Sequence, residues 1–107
     1  MKIIRGDDTD ITVTLLQDDA PFDLSQIARI DLHAKTQSRI VIQLSTTDNS
    51  IEIVDGGIVL HFDRTLTRGA LWRQAAYDMQ VVIGTKVQTV LSGTIELVHD
   101  ITEVQLE

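Results

Sequence analysis

Residues 50–62 read "SIEIVDGGIVLHF", and the interpretation of the whole chain turns on them. Ile51 and Ile53 share one parity before the break. Ile58, Leu60 and Phe62 share one after it, with Val59 and His61 between them. A side-chain period of two is that of a half-buried strand. Asp55-Gly56-Gly57 interrupts the pattern with turn-forming residues, so the two runs predict an antiparallel hairpin.

The same period extends outward in both directions. Upstream, Ile11, Val13 and Leu15 oppose Thr12 and Thr14, and "DDAPF" with Pro21 then supplies a turn. Ile30, Leu32 and Ala34 alternate with Arg29, Asp31, His33 and Lys35, and Ile40, Ile42 and Leu44 share a face before the turn "TDN". Downstream, "DRTLTRGALWRQA" lacks the period. Asp63 can cap a single helical turn there, Gly69 ends it, and the stretch reads as a short crossover. Tyr77, Met79, Val81 and Ile83 resume the alternation, "GTK" turns the chain, and Val87, Leu91, Ile95 and Leu97 share one parity with Gly93. A glycine on the apolar side of a long strand marks a bend or a close backbone approach.

Roughly seven or eight short strands separated by regular turns predict an all-β fold. The choice lies between an antiparallel β-sandwich and a small barrel, and the length favours the sandwich. A chain of 107 residues is the size of one domain, so residues 1–107 are read as a single unit. The tail "HDITEVQLE", from about residue 99, is expected to extend beyond the core, as a strand donated to a neighbour.

Composition narrows the function classes. Sixteen acidic residues against nine basic ones give a net charge of −7, which repels a phosphate backbone and argues against a nucleic-acid partner. With no cysteine there is no disulfide, thiolate nucleophile or thiolate zinc site, as suits assembly in a reducing cytoplasm. "MKIIRGDD" lacks the apolar stretch of a secretory signal, and no run is long enough for a membrane helix.

No constellation of residues points to catalysis or to a cofactor. His33 and His61 fall on the outward parity of their strands, and nothing in their spacing from His99 makes them converge on a metal. Asp7, Asp8 and Asp10 lack the glycine and terminal glutamate of a calcium loop, and read as a charged approach to a strand that resists edge pairing. No G-x-S-x-G, Walker loop or H-E-x-x-H is present. Of the aromatics Phe22, Phe62, Trp72 and Tyr77, strand parity claims Phe62 and Tyr77. Trp72, beside Arg73 in the crossover, is either a lid over the end of the core or an anchor for another protein, because interfaces are enriched in both residue types. Ala75, Tyr77 and Met79 bear a weak likeness to the tyrosine corner of immunoglobulin-type sandwiches, without its Cys and Trp partners. Arg5-Gly6-Asp7 spells an integrin-binding tripeptide, but just ahead of Ile11 it reads as a flexible joint leading into the first strand.

Taken in order, "IRGDDTDITVTLLQDDAPFDLSQIARIDLHAK", the runs around "DGG", and "LWRQAAYDMQVVIG…QTVLSGTIELVHDIT" resemble a family of small virion domains of tailed phages. That family occurs at the N-terminus of baseplate upper proteins and in short stand-alone phage and prophage proteins. Its plan corresponds here to residues 5–8, 21–25, 77–81, 91–95 and 100–102. Ala75-Ala76 stand where the plan has a glycine before the tyrosine, and this chain ends where baseplate proteins continue into larger modules. The resemblance implies an immunoglobulin-like β-sandwich that is a non-enzymatic tail or baseplate adaptor or accessory subunit, without cofactor. Its partners would be other phage structural proteins in a symmetric homo-oligomer, not nucleic acid or membrane. It would assemble in the host cytoplasm and reside in the virion. A capsid decoration protein is the nearest alternative, and a carbohydrate- or cell-surface-binding module, motivated by Trp72 and the tripeptide, is the other.

Overall fold

The protein, seen as a computed structural model, is described over residues 1–17, 20–21 and 23–101. Phe22 and the tail beyond Ile101 lie outside the described residues. All regular structure among the described residues is β, with three short 3-10 turns and no α-helix. A curled five-stranded sheet forms a half-barrel, in the order β1 (Lys2–Ile4), β10 (Lys86–Val98), β9 (Gln74–Ile83), β5 (Arg29–Thr36), β6 (Arg39–Ser45). A three-stranded sheet accompanies it, in the order β2 (Thr9–Val13), β8 (Gly57–Phe62), β7 (Ile51–Val54). A two-residue ladder joins β3 (Leu16–Gln17) to β4 (Ala20–Pro21).

The hairpin expected at residues 50–62 is present. Val54 pairs with Gly57, Ile53 with Ile58 and Ile51 with Leu60, so Asp55 and Gly56 form a two-residue turn. The two glycines do different work. Gly56 carries a φ of +85°, which a side chain would strain. Gly57 is buried, and a Cβ on it would sit 2.6 Å from the Val13 carbonyl oxygen, so only a glycine lets β8 pass this close to the end of β2.

The core is drawn from both sheets. Ile30, Leu32, Ala34, Met79, Val81 and Ile95 line the five-stranded sheet, and Ile51, Ile58, Leu60 and Phe62 face them from the smaller one. Arg29, His33 and Lys35 are exposed on the opposite parity of β5, the clean alternation read from the sequence.

The structure corrects the sequence reading at four points. The larger sheet is mixed rather than wholly antiparallel, because β1, which shows no alternation in the sequence, pairs parallel with β10 through Ile3 and Leu97. Ile40 is 40% exposed rather than inward, because the register slips at Val41 and one extra residue reverses the parity before it. Val87 is 64% exposed for the same reason: Thr89 opposes Gln80, Leu91 opposes Met79, and Val90 is left between them. Ile53 has the inward parity but lies on the edge strand β7, where it stays 42% exposed. Gly93 marks a close approach, not a bend. It lies opposite Tyr77 without a register shift, and the Tyr77 ring lies against it at 3.1 Å from where a Cβ would stand.

Candidate interaction surface

The end of β10 is where the first and last strands of the chain meet the crossover. Arg5 N–H donates to the Val98 carbonyl at 2.8 Å, and Glu96 N–H donates to Met1 at 2.8 Å. On the other side Leu97 N–H donates to the Arg73 carbonyl at 2.8 Å. The crossover begins as expected, with the Asp63 carboxylate accepting from Thr65 N–H at 2.9 Å to cap the 3-10 turn Arg64–Leu66. It then runs through buried Thr67, whose hydroxyl oxygen accepts from Gly6 N–H at 2.9 Å.

Arg5 is the hub of this corner. Its Nε donates to Asp100 Oδ1 at 2.6 Å, Nη1 to the Ala70 carbonyl at 3.1 Å and Nη2 to the Asp100 carbonyl at 3.4 Å. His99 Nε2 lies 3.0 Å from the Trp72 carbonyl, which can only accept, so that nitrogen carries the proton. The other ring nitrogen, Nδ1, then presents its lone pair to Arg5 Nη1 at 3.3 Å. The Arg5 hydrogen bond is the main reason the Asp100 carboxyl is held below the usual carboxylate range.

The tripeptide is therefore part of the fold. Gly6, with a φ of +81°, is the joint between β1 and β2 that the sequence suggested. Asp8 accepts from Arg64 at its backbone N–H (2.7 Å) and its Nη1 (3.1 Å), while Asp10 faces His61 on a different strand. The two carboxylates turn to separate partners instead of sharing a point.

Trp72 and Arg73 are brought to the surface of this corner, but not as equals. Trp72 is half-buried and packs against the core, whereas Arg73 is exposed. Sequence reasoning missed the residues around them. Leu71 is 86% exposed, Ile101 is fully exposed, and Ile4 and Val98, Cα partners across β1 and β10, are both exposed. Neither Leu71 nor Ile4 belongs to an alternating run, so periodicity carries no signal for them. A recess of about 550 Å³ lies beside this group, between Arg73, Glu96, Val98 and His99. Aliphatic side chains clustered about a Trp and an Arg have the composition of a protein-binding patch.

Two polar arrays lie elsewhere. On the small sheet His61 Nδ1 is 2.7 Å from Asp10 Oδ1 and Nε2 is 3.0 Å from Glu52 Oε1. A neutral imidazole has a single N–H, so only the imidazolium serves both carboxylates. The Asp10 and then the Glu52 hydrogen bonds raise the His61 pKa above its ordinary value. On the outer face of the large sheet, an open trough of about 850 Å³ is lined by His33, Lys35, Ala76, Asp78, Ser92 and Thr94 among others. The three histidines thus sit in three separate places. Among the described residues no group of three His, Cys, Asp or Glu side chains could hold a metal ion, and no helix is long and apolar enough to cross a membrane.

No family model matches the chain, and a search of curated proteins finds no match.

Proposed function

We propose that this chain is a non-enzymatic structural protein of a tailed-bacteriophage virion, an adaptor or accessory subunit of the tail or baseplate that works through protein–protein contacts. One observation carries the reading. The first and last motifs of the virion-domain plan, at residues 5–8 and 100–102, are far apart in sequence, yet Arg5 and Asp100 form an ion pair at 2.6 Å. Motifs that recur in order because they build one corner of a domain would be expected to meet in this way. The exposed group of Leu71, Ile4, Val98 and Ile101 beside Arg73 supports it, as a surface suited to a protein neighbour. The immunoglobulin-like class belongs to the same reading: two sheets closing on one core are consistent with it. In a symmetric particle a modest patch suffices, because repetition supplies avidity.

Mass spectrometry and electron microscopy of particles from the producing host test this. The chain is expected in purified tails in ring-like copy number, and its absence from particles overturns the proposal. Hundreds of copies on the head would instead identify capsid decoration. The trough on the large sheet favours a second reading, a module that binds polyhydroxylated glycans, and binding on a glycan array is its test.

A further inference from the structure

β10 is a strand left half-paired. It runs for 13 residues, which at strand rise is about 43 Å. β9 covers one side along nearly its whole length. On the other side β1 pairs only with Glu96, Leu97 and Val98. Among the described residues nothing pairs with that side from Lys86 to Gly93, an open edge of about eight residues or roughly 26 Å. The direction of its backbone groups follows from the ladder. The Thr94 carbonyl, Glu96 N–H and Val98 carbonyl all point toward β1, so Ser92, two residues earlier on the same strand, points its backbone the same way, toward the vacancy.

The side chains at this edge suit an incoming strand. Leu91 and Tyr77 are only half-buried on the core face, and Val87 is exposed on the other. In a chain of net charge −7, the stretch from Lys86 to Ile95 contains no carboxylate and one lysine. The other long edge, β6, contacts β8 of the small sheet, and the edges β2 and β7 carry Asp10 and Glu52.

We infer that this edge receives residues 102–107 of a second copy of the chain. The sequence "TEVQLE" alternates Val104 and Leu106 with Glu103, Gln105 and Glu107. That pattern places two apolar side chains over Leu91 and Tyr77, while the acidic ones fall on the outer face beside a stretch of β10 that carries no carboxylate of its own. Reach requires the strand to come from another molecule. Asp100 is fastened to Arg5 beside the end of β10, and six extended residues span at most about 20 Å. Gly93, the near end of the open edge, lies five residues back from Val98, roughly 17 Å away along the strand. Those six residues are therefore nearly spent in reaching their own β10 edge and cannot pair along it. Tail onto edge is a head-to-tail contact, which builds a ring if the rotation closes and a filament if it does not. This deepens the assembly reading above and rests on it only for copies being in contact.

Sedimentation equilibrium of the full chain tests it. The native chain is expected to self-associate with rising concentration, and the double variant V104D/L106D to do so about tenfold or more weakly. A fluorescent peptide of sequence "HDITEVQLE" should bind that double variant. Adding Ser92→Pro, which removes an edge donor that β9 does not use, should weaken peptide binding about tenfold with an unchanged melting temperature. A native chain that stays monomeric at every concentration overturns the inference. So does association unaffected by V104D/L106D, or peptide binding indifferent to Ser92→Pro, and if Ser92→Pro does not fold the first comparison still decides. None of these results bears on whether the chain is found in virions, so the two proposals fail separately.

Discussion

The guanidinium of Arg5 donates to Asp100 and to the Ala70 carbonyl, and it has no freedom to leave for a receptor carboxylate without opening this corner of the fold. The folded chain is therefore expected to support no Arg-Gly-Asp-dependent cell adhesion, although a short linear peptide of the same letters would, and a cell-attachment assay comparing the two checks it. Arg5→Ala should lower the melting temperature at neutral pH by about 4 °C or more. Because the folded Asp100 pKa is depressed, its contribution is present above the unfolded value near 3.9 and is lost as pH falls through the folded value. The difference between the two proteins should shrink in acid accordingly. His61 has the opposite sign. Its folded pKa is raised, so the stability it contributes is fully present below about pH 6.5 and is lost as pH rises through the folded value. Thermal melts of His61→Gln should differ most from native near pH 6 and converge in alkali, with an NMR titration placing the His61 midpoint above 6.5. The letters at residues 5–7 were legible in the sequence. So was the joint at Gly6, but the role of Arg5 was not, because Asp100 and Ala70 are distant along the chain.

Strands show which local rules survive folding. The alternation in β5 and β8 predicts the buried faces, since Ile30, Leu32, Ala34, Ile58, Leu60 and Phe62 are all buried. In β6 and β10 the same counting fails beyond Val41 and Val90, where one unpaired residue reverses the parity. A period of two contains no mark for such a residue, because the pairing partner decides where the slip falls. Val87→Thr is accordingly expected to leave stability unchanged within about 0.5 kcal/mol. Gly57→Ala should behave very differently, since its Cβ would meet backbone rather than a movable side chain. A loss of about 2–3 kcal/mol in urea unfolding is expected, whereas Gly56→Ala strains only the turn and should cost about 1 kcal/mol.

For the molecule as a whole, the core joins two sheets whose strands alternate along the chain, so stability is shared between them. Met79→Ala and Leu60→Ala, one from each sheet, should each cost about 2–5 kcal/mol by equilibrium denaturation. Leu71→Asp, on the exposed corner, should leave the melting temperature unchanged while reducing incorporation into particles or binding to a partner. The sequence by itself determined that the fold is all-β, where most strands and the Asp55–Gly56 turn fall, and which faces are apolar. Those properties follow from backbone geometry and hydrophobic period, which act over a few residues. Only the tertiary structure decided that β1 runs parallel to the end of β10, that Arg5 closes on Asp100, that Leu71 rather than Trp72 stands exposed, and that most of β10 keeps a free edge. Each of those depends on which distant segments become neighbours. A distant pairing arises when the whole chain satisfies its backbone hydrogen bonds and buries its apolar faces together, and no short stretch encodes it alone.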